Sequence, residues 1–92
     1  MSGDGEITIV GDLILLRCKG ALSSSEVELG SMKSGRLLLQ EVNERTCQEL
    51  KPDLDRLVYQ LTGQRLVDLC VGMFLERREK VYLFSMSDTV KQ

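Results

Sequence analysis

Apolar residues recur at helical spacing through the middle of the chain, between Ser23 and Thr62. Steps of three, four and seven dominate this row, which predicts a helix with one buried face. Ser23 and Glu26 have the spacing of a capping box, and Gly63 follows Thr62 where a left-handed C-cap would lie. The pattern therefore predicts a dominant helix over Ser23–Thr62. Its apolar row consists of Leu29, Met32, Leu39, Val42, Leu50, Leu54, Leu57, Val58 and Leu61.

Three residues predict that this helix is not uniform. Gly30 and Gly35 each cost roughly 1 kcal/mol relative to alanine in a helix interior, so the helix frays or bends there, or a neighbouring backbone approaches closely. Pro52 removes a hydrogen bond and clashes with the preceding turn, which predicts a kink or a break near Leu50-Lys51. Unbroken, the helix would be about 60 Å long. We therefore expect that it either breaks or projects and packs against a second copy.

Two extended segments precede the helix. Glu6–Val10 and Leu13–Lys19 are separated by Gly11-Asp12, which suits a type II′ hairpin turn, although a single bent strand would also fit. Alternation divides the second strand into two faces. The face that we expect to point into the core carries Ile14, Leu16 and Cys18.

Two further extended segments follow the helix, with a polar hairpin loop between them. They are Arg65–Leu75 and Lys80–Met86. The order is therefore β-β-α-β-β, which predicts an α+β fold with an antiparallel sheet of two hairpins packed on the helix. We assign residues 6–86 to this single domain, 1–5 to a flexible N-terminus and 87–92 to a polar tail. Several strands are apolar on both faces, so we expect a homodimer to bury the surplus.

The composition excludes some functions but does not identify one. The chain has 92 residues, 42% of them hydrophobic, and a formal net charge of −2. The densest basic cluster, Arg77, Arg78 and Lys80, is interrupted by glutamates, so no face for nucleic acid is expected. The longest uninterrupted apolar run, Leu13–Leu16, is far too short to enter and span a membrane. These features predict a soluble protein.

Cysteine and histidine usage restricts the chemistry further. Cys18, Cys47 and Cys70 are odd in number and widely spaced, which does not form a disulfide framework and fits a reducing cytoplasm. The chain contains no histidine, which excludes zinc sites that need imidazole and nucleophiles activated by histidine. We predict no cofactor, no metal site and no enzymatic activity.

The sequence offers weak candidates for a site. Asp68 and Gly72 lie inside an otherwise apolar strand, so they could hold a small ligand between sheet and helix. Otherwise Asp68 is an outward-facing strand residue and Gly72 marks a β-bulge or a close contact. Asp53 and Asp55 fit charges at a helix N-terminus better than a catalytic pair. We expect structural roles alone for Gly11, Asp12, Ser23, Glu26, Pro52 and Gly63.

An ordered series of motifs is similar to one bacterial family. It comprises the Gly-Asp hairpin, a turn leading to the helix-starting glutamate, a Gly-Arg pair within the helix, a proline and a Thr-Gly pair. The series resembles the MpsC-like family, named after one component of the sodium-translocating membrane-potential-generating system, from about Ile7 to Ser85. The matching residues are Ile9–Arg17, Lys19–Ser23, Glu26, Gly35-Arg36, Leu50–Leu54 and Leu61–Gly63.

The resemblance implies a bacterial accessory or interaction domain without known catalytic residues. Its members are associated with membrane proteins linked to ion or inorganic-carbon uptake, which implies a membrane-protein partner here. Family members usually carry another helix before the first strand, where this sequence has Met1–Gly5. The resemblance therefore also implies a core that one chain does not cover completely. A small-ligand-binding regulatory module is the alternative that the residues leave open.

Overall fold

The computed structural model of the chain describes residues 5–90. Most of the predicted flexible N-terminus and the last two residues of the predicted tail therefore lie outside the described residues. The order β-β-α-β-β and the α+β class are confirmed, but the helical segment is divided in two. The elements are β1 (Gly5–Val10), β2 (Leu13–Cys18), α1 (Ser24–Gly30), α2 (Lys33–Thr62), β3 (Leu66–Phe74), a 3-10 turn (Leu75–Arg77) and β4 (Glu79–Met86).

The four strands form one antiparallel sheet in the order β1-β2-β4-β3. At the first hairpin Val10 pairs with Leu13, and Gly11 has a φ of 59°. Arg78 is the one non-glycine residue of positive φ within residues 5–90, so Asp12 has a negative φ and the turn fits the predicted type II′. The β3–β4 register shifts between Leu66 and Asp68. The irregularity therefore lies at Val67, and the prediction of a bulge at Gly72 is wrong.

The break between the helices lies at Ser31-Met32 and not at Pro52. Ser23 and Glu26 form the predicted capping box at the start of α1, with reciprocal bonds of 3.1 and 3.0 Å. At the joint, a Cβ on Gly35 would lie 2.0 Å from the carbonyl oxygen of Leu29, which confirms the predicted close backbone approach. α2 continues through Pro52 and ends at Gly63, whose φ of 76° gives the predicted left-handed cap.

The core contains few fully buried side chains. Both helices lie on one face of the sheet, and α2 packs mainly against β3. Ile14 faces this side, as predicted for β2. Val90, inside the predicted polar tail, is buried, and its backbone N–H donates to the carbonyl of Gly11 at 2.8 Å. Among residues 5–90, the hydrophobic residues that are buried are Leu22, Leu39, Cys47, Leu66, Leu69, Met86 and Val90.

Candidate functional site

A polar cleft runs between α2 and β3, on the side of α2 away from β1 and β2. It consists of two adjoining hollows of about 400 and 250 Å³ that share Glu44 and Val71. Gly72 lines the larger hollow and Asp68 the smaller, so the structure brings both sequence-predicted site residues to the same cleft. The helical wall is formed by Arg36, Gln40, Asn43, Glu44, Cys47 and Gln48.

The two sequence-predicted residues make few contacts in this cleft. The Asp68 carboxylate accepts a bond from the backbone N–H of Leu69 at 2.9 Å, and its side chain is exposed. A Cβ on Gly72 would meet only Phe74, at 4.0 Å, so no close contact requires glycine there. The Arg36 guanidinium already makes one bond within the fold, because its Nε donates to the carbonyl of Gly30 at 3.2 Å. The cleft can therefore offer amide and carboxylate groups to a small polar molecule.

Two cysteines, Cys47 and Cys70, are among the residues that line the smaller hollow. Burial raises the pKa of the Cys47 thiol, and negative charge at Cys70 and Asp68 would raise that pKa further. A thiol whose pKa is raised stays protonated, and the thiolate is the form that acts as a nucleophile or metal ligand. Within residues 5–90 no group of three or more cysteine, aspartate or glutamate side chains could hold a metal ion.

An apolar groove lies on the other side of α2, between its C-terminal half and the hairpin of β1 and β2. Its volume is about 420 Å³, and Thr62 is the one polar residue on its walls within the described chain. The Thr62 hydroxyl donates to the carbonyl of Val58 at 2.8 Å. The remaining walls are aliphatic or aromatic: Ile7, Ile9, Ile14, Leu16, Leu54, Leu57, Val58, Leu61 and Phe84.

Asp55 has a role that sequence reasoning missed. The sequence predicts a charge at a new helix N-terminus, whereas Asp55 lies within α2 and joins that helix to β3. Its carboxylate accepts the backbone N–H of Leu66 at 2.8 Å and the Nε of Arg65 at 3.1 Å. These bonds lower the pKa of Asp55 to about 2, and the bond from Arg65 makes the largest contribution. The Arg65 guanidinium also lies over the ring of Tyr59, 5.7 Å from its centroid.

An ion pair on the opposite sheet face was also missed. Arg17 donates from Nε and NH2 to the two carboxylate oxygens of Glu79, both at 2.9 Å. Glu79 is only 6% exposed, and the bond from Arg17 is the main cause that lowers its pKa. The signal in the sequence was Arg17 among apolar β2 residues. Its partner could not be identified, because Glu79 fitted a solvated loop.

The residues predicted to be structural shape the fold and line neither cavity. The carbonyls of Gly11 and Asp12 accept the backbone N–H groups of Val90 and Met86, both at 2.8 Å. The bond to the Ser23 backbone is the main cause that lowers the pKa of Glu26, whose carboxylate also lies 3.6 Å from the ammonium of Lys80. Pro52 lies inside α2 and Gly63 caps its end.

Comparison with known proteins identifies the family. Neither helix in residues 5–90 has the combined length and apolar character that a membrane-spanning helix requires. The searches against curated proteins and solved structures gave no match. The family described as "Na+-translocating membrane potential-generating system (MpsC)" matches residues 3–88, nearly the whole chain. The chain therefore belongs to the MpsC family, which is linked to a Na+-translocating membrane system.

Proposed function

We propose that this protein is a non-enzymatic accessory domain that acts as a cytoplasmic homodimer and binds a membrane protein of a Na+-translocating system. Membership of the MpsC family over residues 3–88 is the observation that carries the proposal. Its physical support is the amount of apolar surface on the described chain. Large hydrophobic side chains that are about half exposed or more occur on β1, α2 and β3. Side chains of this kind favour association with another protein.

The non-enzymatic part of the proposal is supported by how the charged groups are used. Asp55 joins α2 to β3, Glu79 is paired with Arg17, and Glu26 closes the helix cap. Each of these carboxylates has a lowered pKa, which keeps it ionised. A general acid or base instead needs a pKa close to the operating pH. The buried Cys47 thiol has a raised pKa and stays protonated.

The experiment is affinity capture of the tagged full chain from gently solubilised native cells. Capture is run in parallel from the membrane fraction and from the soluble fraction, with the tag alone as control, and the proteins retained are identified by mass spectrometry. We expect a component of a Na+-translocating system from the membrane fraction only. Repeated recovery of no such component, under conditions in which the chain remains folded, would contradict the proposal.

A ligand-binding regulatory module is the second candidate, and the polar cleft favours it because Asp68 and Gly72 both line that cleft. The test is a thermal-shift screen of anions, including bicarbonate, and of polar metabolites. Gln40→Leu is the matched variant, because Gln40 is an exposed residue of α2 that lines the larger hollow, and the substitution removes its amide from the cleft. We expect a ligand to raise the Tm of the natural chain and to leave that of the variant unchanged. No response across the screen would count against this function.

A further inference from the structure

The C-terminal half of α2 carries an exposed apolar stripe beside the groove. Alternating steps of three and four connect Cys47, Leu50, Leu54, Leu57 and Leu61, which is the spacing of a helix-pairing seam. Cys47 is buried and Leu54 packs against the core. The other three leucines form the stripe, with exposed fractions of 46% at Leu50, 50% at Leu57 and 76% at Leu61. Three of the five seam residues are therefore left without cover by the described chain.

The sheet side of the groove is exposed as well. Ile7 on β1 is 68% exposed and lines the groove opposite the stripe. The groove has no charged side chain on its described walls, and the hydroxyl of Thr62 is bonded to Val58. An occupant can therefore gain only by burying apolar groups, at roughly 25 cal/mol per Å². An ion, a sugar or a nucleic acid would find no bonding partner there.

The molecule is less compact and exposes more surface than a typical monomer of its length. Its radius of gyration is 14.2 Å, whereas about 12 Å is expected for a compact domain of this length. Its accessible surface is 6541 Å², whereas a monomeric protein of 10.4 kDa exposes about 5,400 Å². The excess of about 1,100 Å² exceeds the approximately 800 Å² that each partner buries in a standard interface. The exposed surface is therefore large enough for an interface with one partner of ordinary size.

We propose that a second copy of this chain fills the groove with its own α2 stripe, and that the two copies do so reciprocally. A single chain carries both halves of the contact, the apolar groove and an apolar helical stripe of matching chemistry. A two-fold interface requires such self-complementarity, since the same patch faces itself. This inference rests on the proposed homodimer and adds the surface that forms it.

The charged side chains of β1 and β2 do not oppose this occupant, because Glu6 and Arg17 lie on the sheet face opposite the groove. The Lys19 ammonium lies 2.7 Å from one carboxylate oxygen of Glu6, and the Arg17 guanidinium lies 3.8 Å from the other. Acidic and basic groups are thus already paired within one copy. The groove side of the two strands therefore presents no like charges that would repel an identical surface.

The experiment measures the mass of the purified full chain by sedimentation equilibrium over a concentration series. We expect the natural chain to reach twice its 10.4 kDa mass. Leu61→Glu should weaken self-association by at least about a hundredfold, because it would bury a carboxylate in a groove without a polar partner. Leu37→Glu is the matched control, because Leu37 is also an exposed leucine of α2, at 59%, but does not line the groove. It should associate like the natural chain.

Circular dichroism of each variant separates loss of association from loss of folding, and 76% exposure makes Leu61 tolerant of a charge in the free protomer. A natural chain that is monomeric throughout the series, or equal weakening by the two substitutions, would overturn the inference. Loss of membrane capture by Leu61→Glu in a monomeric natural chain would assign the groove to an apolar segment of another protein. A dimer that captures no membrane protein would leave this inference standing and refute the proposed membrane role.

Discussion

Gly35→Ala tests whether the joint between α1 and α2 is held by close backbone contact. Alanine normally favours a helix by about 1 kcal/mol over glycine, so propensity alone predicts stabilisation. At this joint, however, the added Cβ would lie 2.0 Å from the carbonyl oxygen of Leu29 and 2.9 Å from its Cδ1. Because the closest atom belongs to the backbone, a side-chain rotation cannot relieve the contact. The short helix α1 must move away from α2.

The cost of that movement can be estimated from the contacts it disturbs. Overpacking a tight site typically costs about 1–3 kcal/mol. The bond from Arg36 to the Gly30 carbonyl, which also crosses the joint, contributes about 1 kcal/mol. After the helix-propensity gain is subtracted, we expect the free energy of unfolding to fall by about 2 kcal/mol. For a chain of this length that lowers the Tm by about 10 °C.

Thermal unfolding followed by circular dichroism gives the Tm directly. Gly72→Ala is the matched control, because its Cβ would meet only Phe74 at 4.0 Å. That substitution should leave the free energy of unfolding unchanged or raise it by up to about 1 kcal/mol, because glycine is disfavoured in a strand interior. If Gly35→Ala had a Tm equal to or above that of the natural chain, the argument from backbone contact would be refuted.

Three further predictions concern single contacts. The pKa of Asp55 is lowered to about 2 from an ordinary value of 3.8, so its carboxylate stabilises the fold above pH 3.8 and that contribution is lost as the pH falls through about 2. Asp55→Asn should therefore lower the Tm at neutral pH, with a deficit that shrinks in acid; a deficit independent of pH would contradict the assignment. Pro52→Ala should stabilise by about 2 kcal/mol, since it removes a helix penalty of about 3 kcal/mol and returns about 1 kcal/mol of unfolded-chain entropy; a lower Tm would oppose this. Glu79→Gln should lower the Tm, and a double-mutant cycle with Arg17→Gln should give a coupling energy distinguishable from zero.

Local signals predicted the ends of the elements well. The capping box at Ser23, the left-handed cap at Gly63 and the turn at Gly11 each depend on a few neighbouring residues, which the sequence displays. The predicted kink or break at Pro52 was wrong, whereas the predicted irregularity at Gly30 and Gly35 was correct. Pro52 removes one hydrogen bond of α2 and clashes with the preceding turn, and the packing of α2 against β3 offsets this cost. The break occurs where the Leu29 backbone meets Gly35, a contact between α1 and α2 that helical periodicity does not contain.

The candidate sites depend on relations that periodicity does not contain. Asp68 and Gly72 could be identified as unusual residues of an apolar strand, but the opposite wall of their cleft comes from α2, some thirty residues earlier in the sequence. The apolar row of α2 could also be identified from the sequence. Whether Leu61 is buried depends on which strands the helix covers. Because α2 lies over β3, β1 and the end of the row remain exposed.

Leu61→Glu also determines whether dimerisation and membrane binding are separate properties. If the groove serves only the second copy, this variant should be a folded monomer that still captures the membrane protein, with the affinity of a single site. If instead the dimer is the binding unit, capture should weaken with the loss of the second site, because two linked sites bind far more tightly than one. Titrating the solubilised membrane protein with Leu61→Glu and with Leu37→Glu distinguishes these cases. Equal affinities would mean that one protomer is sufficient for the accessory role.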